Sequence, residues 1–364
     1  MTNEELVDAL ISAADASARQ AVMEMHFPNL QVDLVRALKE RADYYEQDDA
    51  RKALRIGEIG AEVAERIGDD EASALALWTQ ANAYDYLAEH ESAARCYDRA
   101  ADLFREAGKP LEAARTSIGE IYTLMALGRL ERAQALAEAA REIFTQAGDV
   151  VSQAKIDMNL GNLHNHQGRY AQAAEDFKRA TEAFQSQGEE LYSAMNKVNQ
   201  AISLTRIDDF QAAERLHKEA RPVFEAAGLR NAVASVDHDL AVLQYSRGNY
   251  TEALRIFERA RDTFSDLADQ SNIALTDLAE SDLYLDLNIP DAAMRLAAQA
   301  EKAFAQMSMP FEMARAIANQ GIASARLGQP KQAVQLLDQA RDSFASQENL
   351  AWKAHTDIDR KSVV

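Results

Sequence analysis

Residues 115–149 read RTSIGEIYTLMALGRLERAQALAEAAREIFTQAGD, two apolar-rich runs hinged at Gly128 and closed at Gly148. Counting from Gly128, alanine stands five and twelve residues on, as Ala133 and Ala140, and phenylalanine stands sixteen on, as Phe144. With Ala137 at nine, the steps are four, three and four, which puts all four side chains on one face of a helix of 3.6 residues per turn. Glycine at each end supplies the left-handed residue on which a helix commonly stops. The stretch is predicted to be the end of one helix, a tight turn, and a complete second helix folded back against the first.

The same wording recurs in both directions. Breaks fall at Asp48, Ala88, Gly128, Gly168, Asp208, Gly248, Asn288 and Gly328, each forty residues after the last. Five residues past every break stands alanine, from Ala53 and Ala93 through Ala333. Twelve past it stand Gly60, Ala100, Ala140, Ala180, Ala220, Ala260, Ala300 and Ala340, and sixteen past it Phe104, Phe144, Phe184, Phe224, Phe264, Phe304 and Phe344, with Ala64 in the first unit. Small residues let two helix backbones approach, and each phenylalanine is worth about 1.5–3 kcal/mol when buried.

The helix before each break carries its own face. Fourteen back stand Ala74, Ala114, Ala154, Ala194, Ala234, Ala274 and Ala314; seven back stand Ala81, Gly161, Ala201, Ala241, Ser281 and Gly321, with Ile121 and Arg41 departing from the pattern. A second junction, twenty residues after the first, holds Gly68, Gly108, Gly148, Gly188 and Gly228; at the matching later points Ala268, Ser308 and Glu348 replace it, leaving the helix ends there less well marked.

Each helix pair has an apolar face that it cannot bury alone, so successive pairs must stack around one continuous core. The reading is an all-α solenoid of about eight antiparallel helix pairs spanning residues 29–348. Residues 1–28 fall outside the register and read as two short capping helices split near Ala14–Ser17, with Pro28 before the first regular helix. Residues 349–364 read as a lone ninth first helix, marked by Trp352 and by Ala354 forty residues after Ala314. That helix is either a natural cap or the point where a longer protein is cut.

Bulk composition narrows the function classes. A chain of 364 residues with 47% hydrophobic residues, six prolines and fourteen glycines is ordered and largely helical. A formal charge of -20 argues against sequence-independent binding to nucleic acid or to an anionic membrane, both of which need a positive face. Cys96 has no cysteine to pair with, and the opening MTNEELVDAL lacks a basic start followed by an apolar run, so a cytoplasmic protein is expected. No run approaches eighteen uninterrupted apolar residues.

Small residues seven before, five after and twelve after a turn, with an aromatic nine after it in Tyr97, Phe177 and Phe257, make the units resemble tetratricopeptide repeats over roughly residues 29–362. The period of forty exceeds the family's usual value of about 34, which makes it similar to the longer repeats of kinesin light chains and of many bacterial multi-repeat proteins. More narrowly, residues 115–149 and the segment DARKALRIGEIGAEVAERIGDD at 49–70 resemble the repeat regions that precede caspase-like CHAT peptidase domains in bacteria. No peptidase signature is present, so that resemblance implies a sensing or recruiting arm, or a stand-alone relative.

The family resemblance implies a right-handed superhelix whose first helices line a concave face and hold a peptide, loop or helix of another protein. On that stripe stand Asn82, Arg115, Tyr122, Lys155, Asn162, Asn165, His166, Arg206, His238 and Tyr245. These side chains are rich in hydrogen-bond donors for peptide backbone and carboxylates. The expectation is that Arg115, Lys155, Asn162, Asn165 and Arg206 grip an acidic or extended segment, with Tyr122 and Tyr245 as flat contacts; a solvated groove is the plain alternative for each. Some family members bind a terminal carboxylate through paired asparagines, where Asn162 and Asn199 would fall, but Met158 stands where that clamp has a basic residue.

Catalysis, metal and cofactor readings are weaker. His164 and His166 are two apart on a helix and point about 200° from each other. Cys96 stands where other units carry leucine or isoleucine and reads as a small buried hydrophobe. No phosphate loop, dinucleotide fingerprint or serine elbow occurs. The chain is therefore read as a non-enzymatic interaction scaffold without cofactor or metal, a CHAT-linked sensor arm being the first rival. A peptide-sensing transcriptional regulator ranks last, because residues 1–28 are too short and acidic for a DNA-reading motif.

Overall fold

The structure is a computed structural model that describes residues 2–46, 48–307, 309–346 and 350–363. Nineteen α-helices and one 3-10 turn, Phe27–Asn29, account for its secondary structure, with no strand among the described residues. The chain divides into two compact units, one ending at Asn196 and the other starting at Lys197. The first unit holds α1 (Asn3–Ser12), α2 (Ala16–Met25), α3 (Val32–Tyr45), α4 (Ala50–Ile67), α5 (Asp70–Tyr86), α6 (His90–Glu106), α7 (Pro110–Ala126), α8 (Leu130–Ala147), α9 (Val150–His166) and α10 (Tyr170–Ser186). The division falls inside α11 (Glu190–Thr205). The second unit continues with α12 (Phe210–Ala226), α13 (Arg230–Ser246), α14 (Tyr250–Asp266), α15 (Gln270–Asp286), α16 (Pro290–Gln306), α17 (Pro310–Arg326), α18 (Pro330–Ser346) and α19 (Leu350–Val363).

From α4 to α18, helices of sixteen to eighteen residues follow one another through tight turns, giving within each unit stacked pairs of the α-solenoid kind. The turn chemistry repeats. Gly128 takes φ +70°, its N–H donates to the Met125 carbonyl at 3.0 Å, and the Arg129 N–H donates to the Leu124 carbonyl at 2.8 Å, closing the helix end. Residues without that freedom do the same at Ala88 (φ 58°), Asp208 (62°), Ala268 (54°) and Asn288 (56°). The loss of glycine at Ala268 therefore leaves the helix end unchanged: α14 stops at Asp266, in step with the others. Ser308 and Glu348, the other two replacements, lie outside the described residues.

The repeated faces form the core. The alanines five past each break are fully buried, and the seven phenylalanines are between 0 and 3% exposed. The sequence pattern does not announce how the residue seven before a break meets the residue nine after it. A Cβ on Gly161 would come within 2.7 Å of the Phe177 ring, and one on Gly321 within 2.7 Å of Leu337. Where the small partner is missing, the large one is missing too: Ile121 shares a buried cluster with Ala137, and Arg41 stands in register with Gly57. The departure at Ile121 is thus an exchange of volume across one contact, whereas the space beside Gly57 is taken by Thr79 and Gln80, and Arg41 pairs with Asp8 at 2.6 Å.

Two side chains sit otherwise than expected. Ala354 is exposed, and Thr356, two residues on, is buried at 1%, so α19 turns a different face to the stack from that of the preceding first helices. Cys96 is half-buried, packing beside Ala81, Ala93 and Tyr97, and burial raises its thiol pKa.

Candidate functional sites on the first helices

In the first unit, α5, α7 and α9 together with Tyr192 line an open groove of about 1060 Å³. They do so because the apolar faces described above bind each first helix to its second helix, leaving the opposite stripe uncovered. Four of the sequence-predicted residues meet there: Asn82, Arg115, Tyr122 and Lys155.

Asn82 is already engaged, donating from Nδ2 to Glu46 Oε1 at 2.8 Å and accepting from the Tyr97 hydroxyl at 2.8 Å. Burial pushes the Glu46 carboxyl up to about 7, the Asn82 amide working against it and nearby Asp43 adding to it. Asp85 is likewise raised by burial, although it accepts from Thr123 Oγ1 at 2.6 Å and lies 3.2 Å from His90 Nδ1. Arg115 pairs with Glu112 and Asp149, both at 2.8 Å. Asp149 also caps α9 by accepting from the Ser152 N–H at 3.1 Å; burial alone would raise its carboxyl, but Arg115 and Ser152 outweigh that and hold it low.

Two groups face the groove with capacity to spare. The Lys155 ammonium lies 5.2 Å from the centre of the Tyr192 ring and has no carboxylate partner among the described residues. Tyr122 is 59% exposed, its ring 6.2 Å from that of His90. The remaining predicted residues of α9 lie elsewhere: Asn162 and Asn165, both partly exposed, and His166, fully exposed, line neither this groove nor the cavity of the second unit.

In the second unit, side chains of α11, α12, α13 and α15, with Arg206 and Asp208 of the turn after α11 and Arg315 of α17, line a cavity of about 560 Å³, and here stand Arg206, His238 and Tyr245. Tyr245 is more than a flat contact, since its hydroxyl donates to Asp286 Oδ2 at 2.6 Å. His238 Nδ1 lies 3.1 Å from Thr276 Oγ1, and burial drives its pKa down to about 4.

Several lining residues escaped the sequence reading. Glu46, His90 and Tyr192 line the first groove, and His217, Asp239 and Asn272 line the second cavity. His217 had a legible signal: it stands nine past a break, where the other units carry either an aromatic ring (Tyr97, Phe177, Phe257) or a small or aliphatic residue (Gly57, Ala137, Ala297, Leu337). His164, set aside as a metal ligand, has its own partner in Asp176 at 2.5 Å. Among the described residues no group of three or more His, Cys, Asp or Glu side chains is placed to hold a metal ion.

Known proteins bear on the fold. A profile described as tetratricopeptide repeat matches residues 152–226, and a second so described matches residues 233–264, so the chain carries tetratricopeptide repeats there. No curated protein matches. Among solved structures, the apo form of RapI is 17% identical with a TM-score of 0.63, over 75% of this chain and 99% of its own. A Rap protein complexed with Competence and Sporulation Factor is 13% identical with a TM-score of 0.60, over 100% and 98%. Aspartyl phosphate phosphatase F from Bacillus subtilis is 11% identical with a TM-score of 0.64, over 94% of each chain. At these identities the likeness is one of fold.

Proposed function

We propose that the chain is a non-enzymatic interaction scaffold, and that the groove of its first unit holds an extended polypeptide segment bearing a carboxylate. The observation that carries this reading is Lys155: a cation on the groove wall, held over Tyr192 rather than over a carboxylate. Most neighbouring charges are spoken for, as the Arg115 pairs with Glu112 and Asp149 illustrate. An incoming carboxylate therefore finds one receptive partner, with Tyr122 and Trp78 offering flat apolar surface beside it. The acidic contact is thus narrower than the row of donors on the stripe suggests, because Asn82 and Arg115 already have internal partners.

The fold relatives lend this a precedent, since one Rap protein was solved with Competence and Sporulation Factor bound. Selection of a phage-displayed library of random decapeptides on the intact chain tests the reading. Enriched peptides should carry an acidic side chain or rely on their terminal carboxylate, and should lose about tenfold or more in affinity for Lys155→Glu and for Tyr122→Ala. No enrichment, or enriched peptides indifferent to both substitutions, would overturn it.

A further inference from the structure

We propose that the cavity of the second unit is a separate binding site for a guanidinium group, that of an arginine side chain, received by Asp239 and His217. The site goes beyond the groove of the first unit and shares no residue with it.

The repeat register isolates these two residues. Nine before a break, Asn159 donates its amide to the Ile118 carbonyl at 2.8 Å, and Asn319 donates to Asp282 Oδ1 at 2.6 Å. Asp239 occupies the same register and makes no hydrogen bond or ion pair among the described residues. Nine after a break, Phe177 and Phe257 are buried apolar rings. His217 occupies that place at 1% exposure, and its Nδ1 is buried without any hydrogen-bond partner. His217 is therefore polar, buried and unsatisfied, Asp239 is a partly exposed carboxylate without a protein partner, and both line one cavity. Buried polar groups without partners are uncommon in proteins, and a ligand that supplies the partner is one standing explanation.

The chemistry selects a donor-rich cation. Thr276 Oγ1 gives its proton to the Asn272 carbonyl at 2.8 Å, so His238 Nδ1 must be the donor in its contact with Thr276. His238 Nε2 then carries a lone pair. His217 is also neutral near pH 7, burial having lowered its pKa to about 4, so it puts no positive charge on the cavity wall. The cavity lining carries more carboxylates (Asp208, Asp239 and Asp282) than cations (Arg206 and Arg315), and Arg315 is paired with Asp282 at 3.0 Å. Asp239 makes an ion pair with neither arginine. Although partly open to the cavity, it is walled by protein, and that burial pushes its pKa up to about 7. A guanidinium offers five donors in a plane and keeps its charge throughout this pH range, which suits a carboxylate on the wall of a cavity that two neutral imidazoles also line.

The test is a titration of the intact chain, its histidine imidazoles labelled with 15N, by N-acetyl-arginine N-methylamide and by the citrulline, lysine and glutamate counterparts. The arginine derivative should shift His217 and His238 with a dissociation constant on the order of millimolar, and the other three should bind about tenfold more weakly or worse. Affinity should rise from about pH 6 to pH 8 as Asp239 ionises. Asp239→Asn restores the residue type found at Asn159 and Asn319, and His217→Phe the type found at Phe177 and Phe257, so both should fold; each should weaken binding, Asp239→Asn by about tenfold or more. Lys155→Glu should leave it unchanged, which separates this site from the groove of the first unit. Equal binding of citrulline or lysine, full binding by Asp239→Asn, or a response of the two histidines to Zn2+ but not to arginine would overturn the proposal.

Discussion

Ala268 carries a cost that its counterparts avoid. Its φ of +54° lies in the left-handed region, which costs an L-residue with a Cβ about 1–2 kcal/mol, whereas Gly148, Gly188 and Gly228 meet the same demand freely. A Cβ at Gly188 would touch nothing within 4 Å, so the penalty at this junction belongs to the backbone and not to packing. Ala268→Gly should therefore stabilise the chain by about 0.5–1 kcal/mol after the extra entropy of the unfolded glycine is subtracted, and Gly188→Ala should destabilise it by a similar amount. Urea denaturation of both variants checks the pair; a loss of stability from Ala268→Gly would contradict the turn account. The junctions were legible in the sequence wherever glycine marked them, and the forty-residue spacing located Ala88, Asp208 and Asn288 as well. The volume exchange between Ile121 and Ala137 was not legible, because the two are sixteen residues apart and each, read in its own helix, is an ordinary apolar residue.

Between neighbouring helices runs a set of part-buried ion pairs that no single-helix periodicity reveals. Asp157, eleven before its break, accepts from Arg141 at 2.8 Å and faces Arg179 at 3.5 Å; Asp237 in the same register accepts from Arg221 at 3.2 Å and faces Arg259 at 2.8 Å; Asp277 pairs with Arg261. At Lys197 and Glu219 the same register carries the charges reversed, with the ions 2.8 Å apart. Helix starts are also marked chemically, by proline at Pro110, Pro290 and Pro310 and by Asp69 and Asp269 accepting from backbone N–H groups. Beside the ion pairs, burial pushes the carboxyls of Glu120 and Glu280 up to about 7. A carboxyl raised above its unfolded value binds more protons in the folded state, so its stabilising share is present at low pH and is lost as pH rises through about 7. His217 and His238, lowered to about 4, act in the opposite sense, costing stability only as pH falls below their unfolded value near 6.5. The melting temperature should consequently be higher at about pH 6 than at about pH 8, and Glu120→Gln with Glu280→Gln should flatten the difference. Glutamine is the apt replacement because Gln80 and Gln320 hold the same register position. A chain that loses stability on acidification across that window would refute the assignment.

Taken together, the helix pairs divide their surface by function: the second helices bury their aromatic and alanine face, and the first helices leave a stripe that lines the two cavities. The stripe was legible because the register fixes which offsets escape the core, and it placed Asn82, Arg115, Tyr122 and Lys155 on one groove wall. What the register could not convey was which of those groups already had internal partners, since Glu46 and Asp149 reach them from other helices and turns. Nor could it show that Asn162, Asn165 and His166 lie outside both cavities. The most direct test of the binding face is photocrosslinking with benzoylphenylalanine placed singly at Tyr122, 59% exposed on α7, or at Ile143, 36% exposed on α8, in the cells from which the chain comes. Covalent capture of a polypeptide from position 122 and none from position 143 is the expected result; capture from position 143, or from neither, would contradict a partner site on the first helices.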